Sequence, residues 1–580
     1  MNNNSILREV FDGFGSGLSL ISPHGKTSCS IDNFRVLADG SLQKREGARP
    51  IARLPDVVRG ICAYTDGDTE ILLAAAGNTL YRISPSDGQV SGNACFSADA
   101  GKVGFFTYRG RLYILDGEEM WRYEGGCSVS RAYGYTPLYG VNWSPYVTYN
   151  APINQNINYL SPRIRIHYVL DSPLDSAYVG LTIRSIEWIK VDKNPLEKDL
   201  YSISPNGKSI VFSEEVLGFN MEVCVTLDKE YYQNTDFLSA RSMAVYESFD
   251  KSRAFLYGGN DSASLFVSYL LSPEEMENDL ATFSDSCGLY FPKDQSLRFG
   301  NGQTVTAVSR LYDRMMVFFS SSLWVSEPME DAEDGKPAFS PLCEHMGCPS
   351  PHAFFMTGTA SPITVAHGNV YKWYIDSEFI KECTATPIAA PIHPLLDNSF
   401  FKHAEVCYHR RRSELWFRDK SHPDSRIFIY HLDKGIWYSF SGLAMDRMFS
   451  FDGGVGFTKD GHIYLLDEKC AVDVFEDGEH AITATYQSGH LDFGALNLSK
   501  NLTNILLAAD IPGGGLSVSL SDGMTIGEAI LDGKPTHAPN IYELRMPSGR
   551  FRAASLSLVC GGDQRHRIYR AELYAQKGKS

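Results

Sequence analysis

Residues 343–352 read CEHMGCPSPH, and four of them, Cys343, His345, Cys348 and His352, carry side chains that bind zinc. Structural zinc sites usually draw paired ligands from two separated knuckles, whereas these four sit in one short cluster with no second knuckle nearby. The segment is therefore read as a Gly-Pro turn leading into a strand, with Cys348 buried, and neither a metal nor another cofactor is assigned. Gly25-Lys26-Thr27 has the ending of a phosphate-binding loop, but Leu20 stands where that loop needs its first glycine, and no strand-to-helix frame surrounds it. GxSxG, HExxH and the Asp-box of sialidase-like propellers are all absent. Glycosidase carboxylates converge from distant strands and leave no spacing to find. Nothing in the sequence argues for an enzyme, and no catalytic residue is assigned.

Charge clusters are the other chemical feature. His409, Arg410, Arg411 and Arg412 form the densest positive run and fall where two strands turn. They read as a solvated hairpin tip, or as a contact to DNA phosphate or to an acidic neighbouring subunit. Glu327, Glu330, Asp331, Glu333 and Asp334 form an acidic run of the kind that usually caps a solvated loop and that would also suit a basic partner.

These residues must be positioned by strands. The 580 residues include 31 Tyr, 32 Phe and 7 Trp, with 50 Gly and 27 Pro, while charged residues are only 21%. That composition excludes a disordered chain, a coiled coil and a collagen-like rod. A loose repeat recurs: an apolar strand, a polar turn with Gly or Arg, then a short strand carrying an aromatic. It is found at 70–83, 104–115, 252–268, 309–326, 362–376, 404–418 and 454–467. Its spacing, mostly about 30–50 residues within each run, is that of propeller blades. The expected fold class is all-β: a β-propeller of about seven degenerate blades with an inserted β-sandwich domain and a C-terminal β-sandwich. Because each copy is degenerate, a set of meanders or sandwiches fits the same pattern.

The expected domains are an N-terminal strand or arm segment (1–50), a first propeller part (51–140), an inserted β-sandwich (141–243), a second propeller part (244–477) and a C-terminal β-sandwich (478–580). The insert opens with a Tyr-, Pro- and Asn-rich stretch, and its PNGKS turn at Pro205–Ser209 predicts a hairpin. Only 272–282 reads as a helix, with Ser272 as N-cap and Pro273 in the first turn.

The net charge of −16 disfavours tight wrapping of nucleic acid, which needs a basic footprint. Residues 1–11 lack the features of a signal peptide, and no apolar run reaches the roughly 18 residues that span a bilayer. Twelve evenly spread cysteines without CxxC read as reduced thiols, and the sequons at Asn260, Asn497 and Asn501 carry little weight without a secretory signal. The expectation is synthesis in a cytoplasm, with no membrane span.

Residues 31–50 read IDNFRVLADGSLQKREGARP. Asn33, Gly40, Leu42, Arg45 and Gly47 match a stretch near the N-terminus of tailed-bacteriophage tail nozzle proteins, also called tail tubular protein B or packaged-DNA stabilisation proteins, and the chain resembles that family here. The segment 484–507 looks like the opening of the family's closing sandwich, and HMGCPSPH with the following HGNVYKWYID looks like a blade junction of such propellers. The resemblance implies a structural virion protein, a homohexameric ring below the portal and adaptor. Such a ring retains packaged double-stranded DNA and conducts it during ejection. It further implies a location in the virion tail and, as partners, other copies of the chain, a tail adaptor or head-completion protein, a tail fibre or other tail protein, and DNA passing through the lumen. An acidic lumen would let DNA slide without sticking. The alternative is a distal-tail or receptor-binding propeller that binds or cleaves host-surface glycan.

Overall fold

The computed structural model describes residues 4–9, 21–22, 28–86, 88–96, 101–146, 156–248, 252–329, 336–358, 361–376, 382–493, 496–522, 524–531, 535, 540–545 and 549–577. The chain is all-β, built from many small sheets. Gly25-Lys26-Thr27 and the acidic run from Glu330 to Asp334 lie outside the described residues.

Seven antiparallel units of four strands follow one another. Sheet A holds Val58–Asp66, Thr69–Ala76, Thr79–Ile83 and Val90–Ala94, and sheet B holds Gly104–Tyr108, Arg111–Leu115, Met120–Gly125 and Ser128–Arg131. Sheet C holds Ser242–Glu247, Ser252–Tyr257, Leu265–Val267 and Ser296–Leu297. Sheet D runs from Val305–Leu311 to Phe339–Cys343, and sheet E from Phe354–Thr357 to Cys383–Pro387. Sheet F holds Ala404–His409, Glu414–Asp419, Ile427–His431 and Ile436–Phe440. Sheet G holds Arg447–Phe451, Gly454–Lys459 and His462–Asp467, and its fourth strand is Gly47–Arg53, from the other end of the chain. Each copy of the sequence repeat falls in a different one of these units.

Local chemistry explains the hairpins. Arg109-Gly110, His367-Gly368, Asp452-Gly453 and Asp460-Gly461 each place both loop residues at positive φ, the geometry that matches strand twist in two-residue loops. In the strand Thr69–Ala76, Ile71, Leu73 and Ala75 pack with sheet B, while Leu72, Ala74 and Ala76 pack with sheet G. Period-two side-chain alternation thus serves two apolar faces, which is why the strand reads as a continuous apolar run. Shared cores likewise join B to C through Phe106, Leu256 and Phe266, and C to D through Phe255, Val267, Val317 and Phe319. A larger core joins D, E, F and G through Phe318, Trp373, Trp416 and Phe457.

Between sheets B and C stands a separate core. Ile164, Ile166, Met221, Val223 and Val225 from a five-stranded sheet meet Leu174, Ala177, Ile210 and Phe212 from a three-stranded one. The hairpin predicted at PNGKS forms there, pairing Tyr201–Ile203 with Ser209–Val216 around Gly207 at φ 72. The helix Pro273–Thr282 forms with a complete capping box between Ser272 and Glu275.

The N-terminal segment is shared out among the sheets. Ser28–Asp32 joins sheet F to Ala484–Ser488, Ser555–Cys560, Leu516–Ser521 and Thr525–Leu531, giving nine strands in one sheet. Phe34–Val36 and Leu42–Lys44 pair with one another and then with Arg567–Lys577 in a second sheet containing Lys500–Asp510. The two sheets enclose Leu502, Ile505, Leu507, Leu516, Val518, Leu556 and Leu558.

Candidate functional site

Of the five residues that carry the family resemblance, Asn33, Arg45 and Gly47 occupy one junction. Asn33 adopts a left-handed φ of 58, which aims its amide at three chain segments. Its Oδ1 accepts from Arg45 Nε at 2.9 Å and from the Ser441 backbone N–H at 3.0 Å, and its Nδ2 donates to the Thr483 carbonyl at 2.9 Å. Arg45 is 1% exposed and grips Asp473 with both terminal nitrogens, at 2.8 and 2.6 Å. The same carboxylate accepts from the Ala48 N–H at 2.9 Å. Gly47 has no room for a side chain, since a Cβ there would lie 1.8 Å from the Val472 carbonyl oxygen. Gly40 turns the hairpin at φ 80, and Leu42 is wholly buried. The motif locks the start of the chain into sheet G and its neighbour Val472–Phe475.

Beside it lies a second buried cluster. Arg35 donates to Glu46 at 2.7 Å and also pairs with Glu414, while its guanidinium sits 4.9 Å from the Phe440 ring centroid and 5.5 Å from that of Trp416. Burial acts to raise the Glu46 carboxyl, but Arg35 and Arg412 outweigh it and hold its pKa at about 2.

The basic turn predicted at His409–Arg412 joins Ala404–His409 to Glu414–Asp419 as one 3-10 turn. It meets the motif through Glu46, whose Oε1 lies 3.4 Å from Arg412 Nη2. Arg412 also pairs with Glu468 at 2.5 Å, and Arg411 pairs with Asp452. His409 is buried against Trp416, and burial, reinforced by Arg35, lowers its pKa to about 4. Arg410 is exposed and has no ion-pair partner among the described residues. A cleft lined by Glu46, His409, Arg411, Arg412 and Glu468 opens here, with basic and acidic groups in near balance. At neutral pH Glu46 is ionised and His409 neutral, so neither is poised to transfer a proton.

Cys343 ends a strand of sheet D, His345 is exposed, and the buried Cys348 thiol faces the Ser350 and Ala353 carbonyls at 3.2 and 3.4 Å. Among the described residues no group of three or more His, Cys, Asp or Glu has metal-binding geometry, and no helix is long and apolar enough to cross a membrane. Sequence reading missed Arg35, Glu46, Glu414 and Asp473. The first two lie within the span of the motif and were open to inspection, whereas nothing in the sequence ties Asp473 to Arg45.

No family model and no curated protein matches the chain. Among solved structures, an extracellular domain assigned to a one-component system of B. thetaiotaomicron is similar at 9% identity and a TM-score of 0.26, over 93% of this chain and 85% of that one. Apo AztD from Citrobacter koseri is similar at 9% identity and a TM-score of 0.29, over 66% of this chain and 87% of that one. At such TM-scores the likeness carries no argument about what this chain does.

Proposed function

We propose that sheets A to G close into a seven-bladed propeller and that the protein is a structural, non-enzymatic component of a phage virion. In this reading it is the tail nozzle ring below the portal and adaptor, which retains packaged double-stranded DNA and conducts it during ejection. The observation that carries the reading is the junction built by Asn33, Arg45 and Gly47. The residues that resemble the nozzle family are those that lock the first propeller strand, Gly47–Arg53, into the last sheet. A nozzle under the pressure of packaged DNA needs a body that does not spring open, and completing the last sheet with the first strand gives it one. The two extra β-units offer broad surfaces for a heterologous interface that repeats until the ring closes. The net charge of −16 suits a lumen that repels phosphate.

Electron microscopy of the purified protein, alone and with its neighbouring tail proteins, tests this. Rings with six-fold symmetry are expected. A monomer under both conditions overturns the reading, and glycan-array binding by that monomer would move it to a receptor-binding propeller.

A further inference from the structure

The opening strands of neighbouring sheets lie against one another, A against B and G, B against C, and F against E and G, and basic residues stand at their beginnings. Arg59 opens sheet A, Lys102 precedes sheet B, Arg241 precedes sheet C, His352 precedes sheet E, and Arg447 opens sheet G. Lys420 follows the second strand of sheet F, and its N–H donates to the His403 carbonyl at 3.0 Å, which returns it to the start of that sheet.

Backbone contacts hold these positions near one another. Arg59 Nη1 donates to the Gly101 carbonyl at 3.4 Å, and a Cβ on Gly104 would lie 3.0 Å from Arg241 Cα. The Val406 N–H donates to the His352 carbonyl at 2.8 Å. Arg418 reaches from sheet F to the carbonyls of Met445 and Asp446, at 2.6 and 2.7 Å, just before Arg447. Sheets A and G join the two halves, since the strand Val58–Asp66 lies against Arg447–Phe451. The protein around the His352 imidazole lowers its pKa although solvent reaches the residue, and Lys420, Lys102 and Arg447 reinforce the shift. Burial likewise lowers Lys420 to about 8, and Lys102 and Arg447 add to the effect against Glu405. Solvent reaches His352 and Lys102, yet protein crowds around the cluster.

The nearby carboxylates act on these cations, Glu405 on Lys420 and Arg447 and Asp116 on Arg59 and Arg241, but each has hydrogen-bond partners of its own. Glu405 pairs with Arg418 at 2.7 Å, Asp116 accepts from the Glu118 and Glu119 amides and the Trp121 indole, and Asp446 accepts from the Asp460 N–H. Among the described residues Lys102, Lys420 and Arg447 have no salt-bridge partner. Like charges crowded together in a chain of net charge −16 call for a counter-charge from outside.

We propose that the space between the first strands, bounded by Lys102, Lys420 and Arg447 with Arg59, Arg241 and His352 around it, binds a small polyvalent oxyanion carrying phosphate or carboxylate groups. Ammonium and guanidinium groups converging from several sheets supply the charge-assisted donors that such an anion needs. Three unpaired cations favour a ligand with more than one negative charge. The site is independent of the nozzle role, because it uses only the packing of the sheets.

Isothermal titration calorimetry of the full chain tests the proposal, with inorganic pyrophosphate and with citrate as probes at low salt. Saturable binding of one probe anion per chain is expected. Lys420→Gln/Arg447→Gln should weaken it roughly tenfold or more, the size of one or two lost charge-assisted bonds. Lys208→Gln, in the exposed hairpin of the inserted unit, should leave it unchanged. Preference for pyrophosphate identifies a phosphate ligand, and preference for citrate a carboxylate one. No saturable binding of either probe, or equal affinity in the double variant, overturns the proposal. Should the double variant fail to fold, Lys102→Gln on the exposed lead-in to sheet B carries the same test.

Discussion

The strand Ala404–His409 has a cation cluster at each end, and the two are built on opposite terms. At the His409 end, Arg35, Arg45 and Arg412 each meet a carboxylate of the same chain, and Arg35 and Arg45 are almost wholly excluded from solvent. At the Glu405 end, Lys102, Lys420 and Arg447 have no salt-bridge partner among the described residues, and Glu405, which acts on Lys420 and Arg447, is already paired with Arg418. Saturated charges hold a structure shut. Unsaturated charges of one sign cost stability unless something arrives to meet them. The first arrangement is therefore a clasp, and the second has the character of a receptor site.

The largest effect that would sharpen this contrast is at Asp473. Asp473→Ala leaves Arg45 buried and unpaired, and a loss of about 3–5 kcal/mol is expected for breaking one side of a buried pair. Thermal melting of the variant measures it, and replacing both partners by apolar residues should recover part of the loss. An unchanged melting temperature in Asp473→Ala would break the clasp interpretation.

The second effect is on acid stability. His409 is held neutral, with a folded pKa of about 4 against 6.5 when unfolded. Between those values the unfolded chain binds the extra proton, so stability is complete above pH 6.5 and falls as pH drops toward 4. The fall is up to about 3 kcal/mol, from about 1.4 kcal/mol per pH unit. Glu46 adds a further loss below pH 4.5, its unperturbed value, as pH falls toward about 2. Melting temperature against pH should therefore be flatter between pH 4 and 6.5 in His409→Gln than in the parent chain.

The smallest effect lies at the other end. In the absence of ligand, Lys420→Gln/Arg447→Gln should leave stability unchanged or raise it by no more than about 0.5 kcal/mol, because it removes crowded like charges that have no salt-bridge partner. A loss as large as that of Asp473→Ala would show that these cations belong to the clasp after all.

How much of this could be read beforehand differs between the two clusters. The repeat of strand, turn and aromatic strand placed a copy in each of the seven four-stranded units, because period-two patterning and positive-φ turns are local. The motif Asn33, Gly40, Leu42, Arg45 and Gly47 was legible as a unit, because its members lie within one short segment. Its partners were not: Asp473, Ser441 and Thr483 come from parts of the chain whose proximity depends on the whole fold. The basic turn was found at the right place, but its pairing with Glu46, Asp452 and Glu468 could not be read from a run of arginines. The second cluster left no trace at all, since its members are single residues scattered over more than 300 positions. Only once the first strand of each sheet is known do they fall into a common position.

Completing the last sheet with the strand Gly47–Arg53 also has a consequence in time. The Ala48 N–H finds its acceptor on Asp473, 425 residues further along the chain. At about 5–20 residues per second, the ribosome takes roughly 20–85 s to supply that partner. Throughout that interval an early strand has no mate, and Arg35 and Arg45 have no distant carboxylates to meet. Completion of sheet G is thus a late event with a large loop to bring together, slow by topology. An early strand left without its mate for that long presents an unpaired edge, the feature of an incomplete fold most open to pairing with another chain.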